Sequence, residues 1–336
     1  MTENNYYDVN KLLSYNRFIN MVVSERGLGK TYGVTKYVVN RFLKYGEQFV
    51  YVRRYKTDMG DIDKFFDDMI KYDEFPNHDF AVNGKRFIID GHVAGFAIPL
   101  SAQASKKSVA YPDVTTILFD EFLTMSSDSR YLPDEPSKLL SLIESVVRRR
   151  TNWHAILLAN AITVANPYFL YFDIQPNMNK EFTTNPNNPE VLIQIPRNKN
   201  YRDERMKSRW GRLVGGTPYG EFAIQNKFAE DTEDFIEQRS KDSRLICVLE
   251  YHDTAIGFWT DVQAGKIYAS ETIDPLFKRI VLTTKDHKDN RLLIDNYRKN
   301  SRLNYILKAF KKGYLYFENQ KVKHKALQVF RKFNIR

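Results

Sequence analysis

A single cysteine, Cys247, in 336 residues excludes an intrachain disulfide and any cysteine-built metal cluster. The six histidines are scattered: His78, His92, His154, His252, His287 and His324. No pair has zinc-ligand spacing, which argues against a structural metal. Long apolar runs are missing too. Stretches such as IVLTT and HAILLANAI fall far short of the roughly 20 residues that span a bilayer. The opening MTENNYYDVNKLLSYNR has no charged start followed by an apolar run, so it does not read as a secretory leader. Internal repeats and low-complexity tracts are absent. These absences lead to the expectation of a soluble, intracellular protein with no membrane partner.

The residues that are present can build a sizeable core. Hydrophobic residues make up 43% and aromatics 14%, enough for one large domain or two ordinary ones. The net charge of +10 is unevenly placed. From Arg239 to the end there are 21 Lys+Arg against 10 Asp+Glu, a net of +11, which leaves −1 for the rest. The surplus reads either as a solvated face or as a surface for a polyanion, where released counterions drive binding.

The first half alternates strand and helix patterns. FINMVV (18–23), QFVYVRR (48–54), VTTILFDE (114–121) and WHAILLAN (153–160) read as strands, apolar along their whole length. Residues 30–45 and 135–149 read as helices, and 60–71 as an amphipathic helix. RFIID and VAGFAIPL flank Gly91-His92 as a β-hairpin. Such alternation argues for a parallel sheet covered on both faces. The periodicity stops near residue 197, at the turn-rich NPNNPE and IPRNKN. Residues 198–238 then read as a linker or small helical segment, holding RDERMKSRWGR and the hairpin-like GGTPYGEF. From 239 a second unit opens with RLICVLEY, AIGFWTDV and KIYAS, the last two joined at Gly265. It closes with basic amphipathic helices around 289–312 and 320–333.

The segment Ser24-Glu25-Arg26-Gly27-Leu28-Gly29-Lys30-Thr31 follows an apolar strand and opens a helix. That is the context of a phosphate-binding loop. Backbone N–H groups of a Gly-rich turn point inward at phosphates, and the helix N-terminus adds partial positive charge. Lys30 would reach the β- and γ-phosphates, and Thr31 would hold Mg²⁺. Ser24 stands where the pattern usually has its first glycine. Gly-Lys-Thr alone is also compatible with a plain turn carrying a solvated lysine.

A second element narrows the choice. Ile117-Leu118-Phe119 runs into Asp120-Glu121, and carboxylates at the end of a buried strand are costly unless they meet a cation. Asp120 would join the Mg²⁺ shell and Glu121 would polarise water for ATP or GTP hydrolysis. A strand ending at the surface would explain the pair as well, but not its order after the glycine turn. Asn160 ends a further buried strand and fits a sensor of the γ-phosphate, or a simple turn. An added strand of this kind lies between the phosphate-loop strand and the Asp-Glu strand in enzymes with a separate catalytic Glu. Arg148-Arg149-Arg150 could supply a guanidinium to a neighbouring subunit's site, or could be a solvated helix end. Lys106-Lys107 and Arg53-Arg54 pose the same question, with Arg53 placed to face nucleotide or a neighbour.

Taken together, SERGLGKT, FLKYGEQFVYVRRYK, AGFAIPLS, AYPDVTTILFDEF, ANAITVANPYF and IEQRSKDS resemble the DNA-packaging motor ATPases of small tailed bacteriophages, the φ29-like group. The resemblance runs through to the tail KALQVFRKFNIR. It implies an α/β RecA-like P-loop ATPase core of the additional-strand, catalytic-Glu type over 1–197. After the 198–238 linker it implies a small α+β ribonuclease H-like domain over 239–336, basic, nucleic-acid-binding and without nuclease activity. The implied work is ATP-driven translocation of double-stranded DNA into a procapsid, by a homo-oligomeric ring, usually a pentamer, at the phage portal in the host cytoplasm. In that group a scaffold RNA is associated with the portal.

By the same resemblance, Lys30 and Thr31 bind ATP, and Thr31 and Asp120 bind Mg²⁺; Ser24, Arg26, Gly27, Gly29 and Arg53 are the further nucleotide-binding candidates. Glu121, Asn160, Arg148 and Lys107 complete catalysis, the last two in trans. Asp253, Asp261 and Asp274 are the candidates for a nuclease remnant, sparse among basic residues. The rival readings are another P-loop nucleic-acid motor, such as a helicase or conjugation pump, and a nucleic-acid scaffold without ATPase activity.

Overall fold

The computed structural model describes residues 7–102, 110–124, 131–160, 166–174, 176–177, 180–217, 235–251, 254–282, 284, 286–288, 291–294 and 300–331. The chain divides into two compact units. One comprises Met1–Thr163 and Pro167–Glu230, the other Val164–Asn166 and Asp231–Arg336.

The first unit runs α1 (Val9–Leu13), β1 (Ile19–Ser24), α2 (Lys30–Tyr45), β2 (Gln48–Arg53), α3 (Asp67–Lys71), β3 (Phe80–Asn83), β4 (Arg86–Ile89), β5 (His92–Pro99), β6 (Val114–Asp120), α4 (Glu135–Val147), β7 (His154–Asn160), α5 (Pro167–Tyr171), β8 (Phe182–Asn185), β9 (Asn188–Gln194), α6 (Lys199–Lys207) and α7 (Arg209–Val214). Its strands form one sheet in the order β3-β4-β5-β2-β6-β7-β1-β9-β8. From β5 to β9 every neighbouring pair is parallel, and antiparallel hairpins extend both edges. Strand alternation sends side chains to two cores. Met21, Val23, Ile117 and Phe119 pack with Leu139, Leu142 and Ile143 of α4. Val22, Leu118, Ile156 and Leu158 pack on the other face with Val34, Val38 and Val39 of α2. Both faces are covered, so the central strands are apolar throughout, as expected from the sequence. Truncating one fully buried leucine here, such as Leu158→Ala, would cost about 2–5 kcal/mol.

The register fixes the site. β7 lies between β1 and β6, parallel to both, with Ser24 opposite Asn160 and Asp120 opposite Leu158. The C-terminal ends of β1, β7 and β6 therefore meet side by side, where open parallel sheets bind ligands.

Three local expectations change. Residues 60–71 are not one helix: a 3₁₀ turn at Ile62–Lys64 precedes the short α3. The i, i+3 spacing of Ile62 and Phe65 serves both helix types, so apolar periodicity could not separate them. Residues 182–194 hold the hairpin β8–β9, with β9 adding to β1. Their Asn/Pro-rich sequence is the hairpin turn, not the end of the domain. Residues 198–217, expected in a linker or small helical segment outside the ATPase domain, fold as the helices α6 and α7 inside the first unit.

The second unit runs β10 (Arg244–Tyr251), β11 (Thr254–Asp261), β12 (Lys266–Ser270), β13 (Arg279–Val281), β14 (Arg291–Leu293), α8 (Ser301–Lys311), β15 (Leu315–Phe317) and α9 (Gln320–Arg331). β10, β11 and β12 form an antiparallel meander; β13 and β14 add in parallel beyond β10, and β15 adds in parallel beyond β12. A meander extended by parallel strands from its first member is the ribonuclease H-like arrangement. α8 and α9 bury Leu303, Ile306, Val322, Ala326 and Phe330 in its core. Within the helix expected over 289–312, the described helix is Ser301–Lys311, where the Asn300 side chain accepts from Leu303 N (3.0 Å). Arg291–Leu293 is a strand.

Candidate active site

The turn between β1 and α2 is held from several sides. Gly27 and Gly29 have φ of 88° and 81°, left-handed values that side chains with a Cβ rarely adopt. Leu28 is buried and anchors the turn to the α2 core. Lys30, the first residue of α2, folds back into the loop. Its Nζ donates to Ser24 Oγ (2.9 Å), Glu25 O (3.1 Å), Ser24 O (3.4 Å) and Asn160 Oδ1 (3.3 Å). Ser24 thus has a use that glycine could not supply: its hydroxyl accepts from the lysine. Burial pushes the Lys30 ammonium down to about 8, against the pull of Asp120 and Glu25. An anion entering this turn would restore the charge that burial disfavours.

The two acids stand opposite. Asp120 ends β6, and Glu121 follows in a left-handed conformation, φ 59°. Thr31 Oγ1 donates to Asp120 Oδ2 (3.4 Å), and Tyr51 OH approaches the same oxygen at 3.5 Å. Arg53 Nη2 pairs with Glu121 Oε2 (2.7 Å), while its Nη1 lies 3.8 Å from Asp120 Oδ2. Desolvation raises the Asp120 pKa and the nearby Glu121 charge adds to it; Arg53 and Lys30 oppose. Such a carboxylate gains by meeting a cation. A hydroxyl and a carboxylate oxygen side by side at the foot of the turn are hard donors of the kind Mg²⁺ takes, so the residues fit the ion. Beside them a cavity of about 270 Å³ is lined by Thr31, Tyr51, Arg53, Asp58, Lys64 and Asp68, among others.

The structure thus brings Ser24, Lys30, Thr31, Asp120, Glu121, Asn160 and Arg53 into one constellation. Arg26 is exposed at the crest of the loop. Arg148 caps the C-terminal end of α4 with φ 52° and, like Arg149, is exposed. Arg150 differs: it donates to the carbonyls of Tyr111, Pro112, Val114 and Val146 at 2.6–2.8 Å and so ties α4 to the start of β6. Lys107 lies outside the described residues, as does Asp253. Asp261 is engaged in a turn, accepting from Ala264 N (2.9 Å) and Ser240 Oγ (2.5 Å). Asp274 accepts from Leu276 N (2.9 Å). Among the described residues no group of three or more metal-ligating side chains converges.

Sequence reasoning missed the contribution of α6. Arg202 pairs with the fully buried Glu25 (3.1 Å), and Tyr201 OH donates to Arg26 O (3.3 Å), which Arg205 Nη1 also contacts. A Cβ at Gly27 would meet Arg205 Nη1 at 2.6 Å and Tyr201 OH at 2.8 Å, so these two side-chain ends lie directly over the glycine and would have to move aside for one. The available signal was the i, i+4 spacing of Tyr201 and Arg205 in a basic helix, which does not say what the helix covers.

A family model described as "Podovirus DNA encapsidation protein (Gp16)" matches residues 1–335. The chain belongs to this family. It is a DNA-packaging ATPase. The chain is 45% identical over 336 residues to the DNA packaging protein of Bacillus phage phi29, covering 100% of both. It is similar to a chain of the bacteriophage phi29 viral genome packaging motor assembly, with TM-score 0.82, 44% identity, and coverage of 98% of this chain and 100% of that one. The N-terminal domain of the phi29 DNA packaging ATPase matches at 47% identity and TM-score 0.54, over 58% of this chain and 98% of that one. The glycine turn and the Asp120-Glu121 pair meet at the C-terminal ends of β1, β7 and β6.

Proposed function

We propose that this chain drives double-stranded DNA into a phage procapsid as a homo-oligomeric ring at the portal, hydrolysing MgATP at the ends of β1, β7 and β6. The turn from Ser24 to Gly29 and the N-terminus of α2 receive the phosphates, with Lys30 exchanging its contacts to Ser24, Glu25 and Asn160 for phosphate oxygens. Thr31 and Asp120 would hold Mg²⁺, which when bound offsets charge on the phosphate oxygens. Glu121 orients and polarises the attacking water once Arg53 releases its carboxylate. Asn160 stands where the γ-phosphate would be sensed. Arg148, exposed at the end of α4, and Lys107 act on the neighbouring subunit's site. Residues 239–336, within the second unit, carry the net of +11 and supply a nucleic-acid surface, for the duplex or for a scaffold RNA at the portal. Loops facing the DNA grip phosphates, so translocation is insensitive to sequence.

The observation that carries this reading is the meeting of Thr31 Oγ1 with Asp120 Oδ2, next in the chain to a buried Lys30. The test is phosphate release by the purified chain with duplex DNA, with single strands and without DNA. Duplex stimulation well above that by single strands supports a packaging motor. Preference for single strands points to a helicase-like motor, and nucleic-acid binding without phosphate release to a scaffold.

A further inference from the structure

Arg53 and Arg54 are adjacent at the end of β2, yet their fates differ. Arg53 turns to the acids and keeps 20% of its side chain exposed. Arg54 goes inward, with side-chain exposures of 4% for itself and 0% for its partner Glu135. Its Nε donates to both Glu135 oxygens (2.9 and 3.1 Å), Nη2 to Phe122 O (2.7 Å) and Nη1 to Glu121 O (3.3 Å). Glu135 also accepts from Leu132 N (2.7 Å) and from the OH of the fully buried Tyr168 (2.8 Å). The Arg54 guanidinium lies 4.9 Å from the Tyr131 ring centroid and 5.8 Å from that of Phe119.

Such a network is costly. Burying an ion pair is often no better for stability than apolar packing of the same volume. What it does supply is position. Arg54 holds the carbonyls of Glu121 and Phe122, the two residues after the Asp120 strand end, and Phe122 N donates to Leu158 O of β7 (3.1 Å). Glu121 sits at φ 59°, a conformation that a non-glycine residue keeps only when its surroundings impose it. We propose that Arg54, held by Glu135 and Tyr168, is the positioning residue that fixes the Glu121 backbone so that its carboxylate meets the attacking water. This rests on the reading of Glu121 as the residue that polarises that water. Arg53 above and Arg54 below then divide the work: one engages the carboxylate, the other its main chain.

The experiment uses the full chain with duplex DNA and compares Tyr168→Phe, Arg54→Lys and Glu121→Gln. For each, kcat, the KM for ATP, nucleotide affinity and melting temperature are measured, with kinetics run well below the melting transition. Tyr168→Phe keeps the ring and removes one hydrogen bond, so it is the variant most certain to fold. Its kcat should fall about tenfold, with KM and nucleotide affinity within about twofold of wild type. Arg54→Lys, which cannot reproduce the fork to Glu135 and both carbonyls, should lose about 10²-fold in kcat, as misplacement by about an ångström does. Adding Tyr168→Phe to Glu121→Gln should cost nothing further. A lowered melting temperature with wild-type kcat in Tyr168→Phe would overturn the proposal, as would a further loss in the double variant. Wild-type turnover by Glu121→Gln would instead remove the underlying reading of Glu121, and the two failures are distinguishable.

Discussion

The two sheets use carboxylates in opposite ways. In the second unit Glu250, Asp261 and Glu271 are each consumed where they stand. Glu250 is pinned between Arg279 (2.9 Å) and Arg291 (2.8 Å), Asp261 closes a turn, and Glu271 meets Lys321 and Lys325. In the first unit Asp120 and Glu121 are neighbours of like charge at the end of a parallel strand, held by one shared arginine, a threonine hydroxyl and a tyrosine. The residue types are the same; the topology differs. Parallel strands bring all their C-terminal ends, and the helix starts that follow them, to one edge of the sheet. An antiparallel meander sends successive strand ends to opposite edges, where turns and opposing charges satisfy them. Under the function proposed above, this acid pair is the place that a metal-bound nucleotide would complete.

This contrast can be broken most sharply by exchanging acids for amides in both sheets. Asp120→Asn should lose about 10²–10³-fold in duplex-stimulated phosphate release, the scale of removing a charge aimed at a reacting centre. Asp261→Asn should lower the melting temperature and leave the rate per folded molecule within about twofold. Equal losses in both would erase the distinction. Next in size is the pair of arginines at the end of α4. Arg148→Ala should retain the wild-type melting temperature but lose about 10³-fold in turnover, the lower end of the range for a transition-state arginine. Mixed with Glu121→Gln subunits, it should recover part of that activity if it acts in trans; absence of recovery at every mixing ratio would count against this. Arg150→Ala should do the reverse, losing on the order of 2–4 kcal/mol of stability with its five carbonyl bonds, read by urea unfolding.

Smaller effects follow from two buried bases of the first unit. Lys30 has a folded-state pKa of about 8 against an ordinary 10.5. The unfolded chain therefore binds more protons between those values, and stability without nucleotide should rise with pH across that window. Lys30→Met should flatten this rise in a pH series of melting temperatures. His154, pushed down to about 4 from 6.5 by burial, should make stability fall as pH drops from 6.5 toward 4, because the unfolded chain then gains the proton first. His154→Gln should reduce that acid sensitivity, the smallest of these effects. A slope unchanged by the substitution would show that other groups set it.

Much of the site was legible because its parts are local. SERGLGKT, ILFDE and LLAN each join an apolar strand to a short polar end, and parallel pairing brings those ends together. The fold of the first unit was legible for the same reason: strands buried on both faces are apolar throughout. What escaped was non-local. Nothing in KNYRDERMK says that Arg202 meets Glu25, 177 positions earlier in the chain. Arg53 and Arg54 are identical in sequence terms, and only the alternation at the end of β2 sends one to the acids and the other to Glu135. The same holds for Arg148 and Arg150, two residues apart, one exposed and one bound to five carbonyls. The hairpin β8–β9 was hidden because its Asn/Pro turn has the composition of a domain boundary.

The most direct test of the account is to measure ATP binding and phosphate release side by side in the Glu121→Gln variant with duplex DNA. Retained affinity with release reduced at least about 10²-fold is the expected result. Release at the wild-type rate would contradict it and would move the chemistry away from the end of β6.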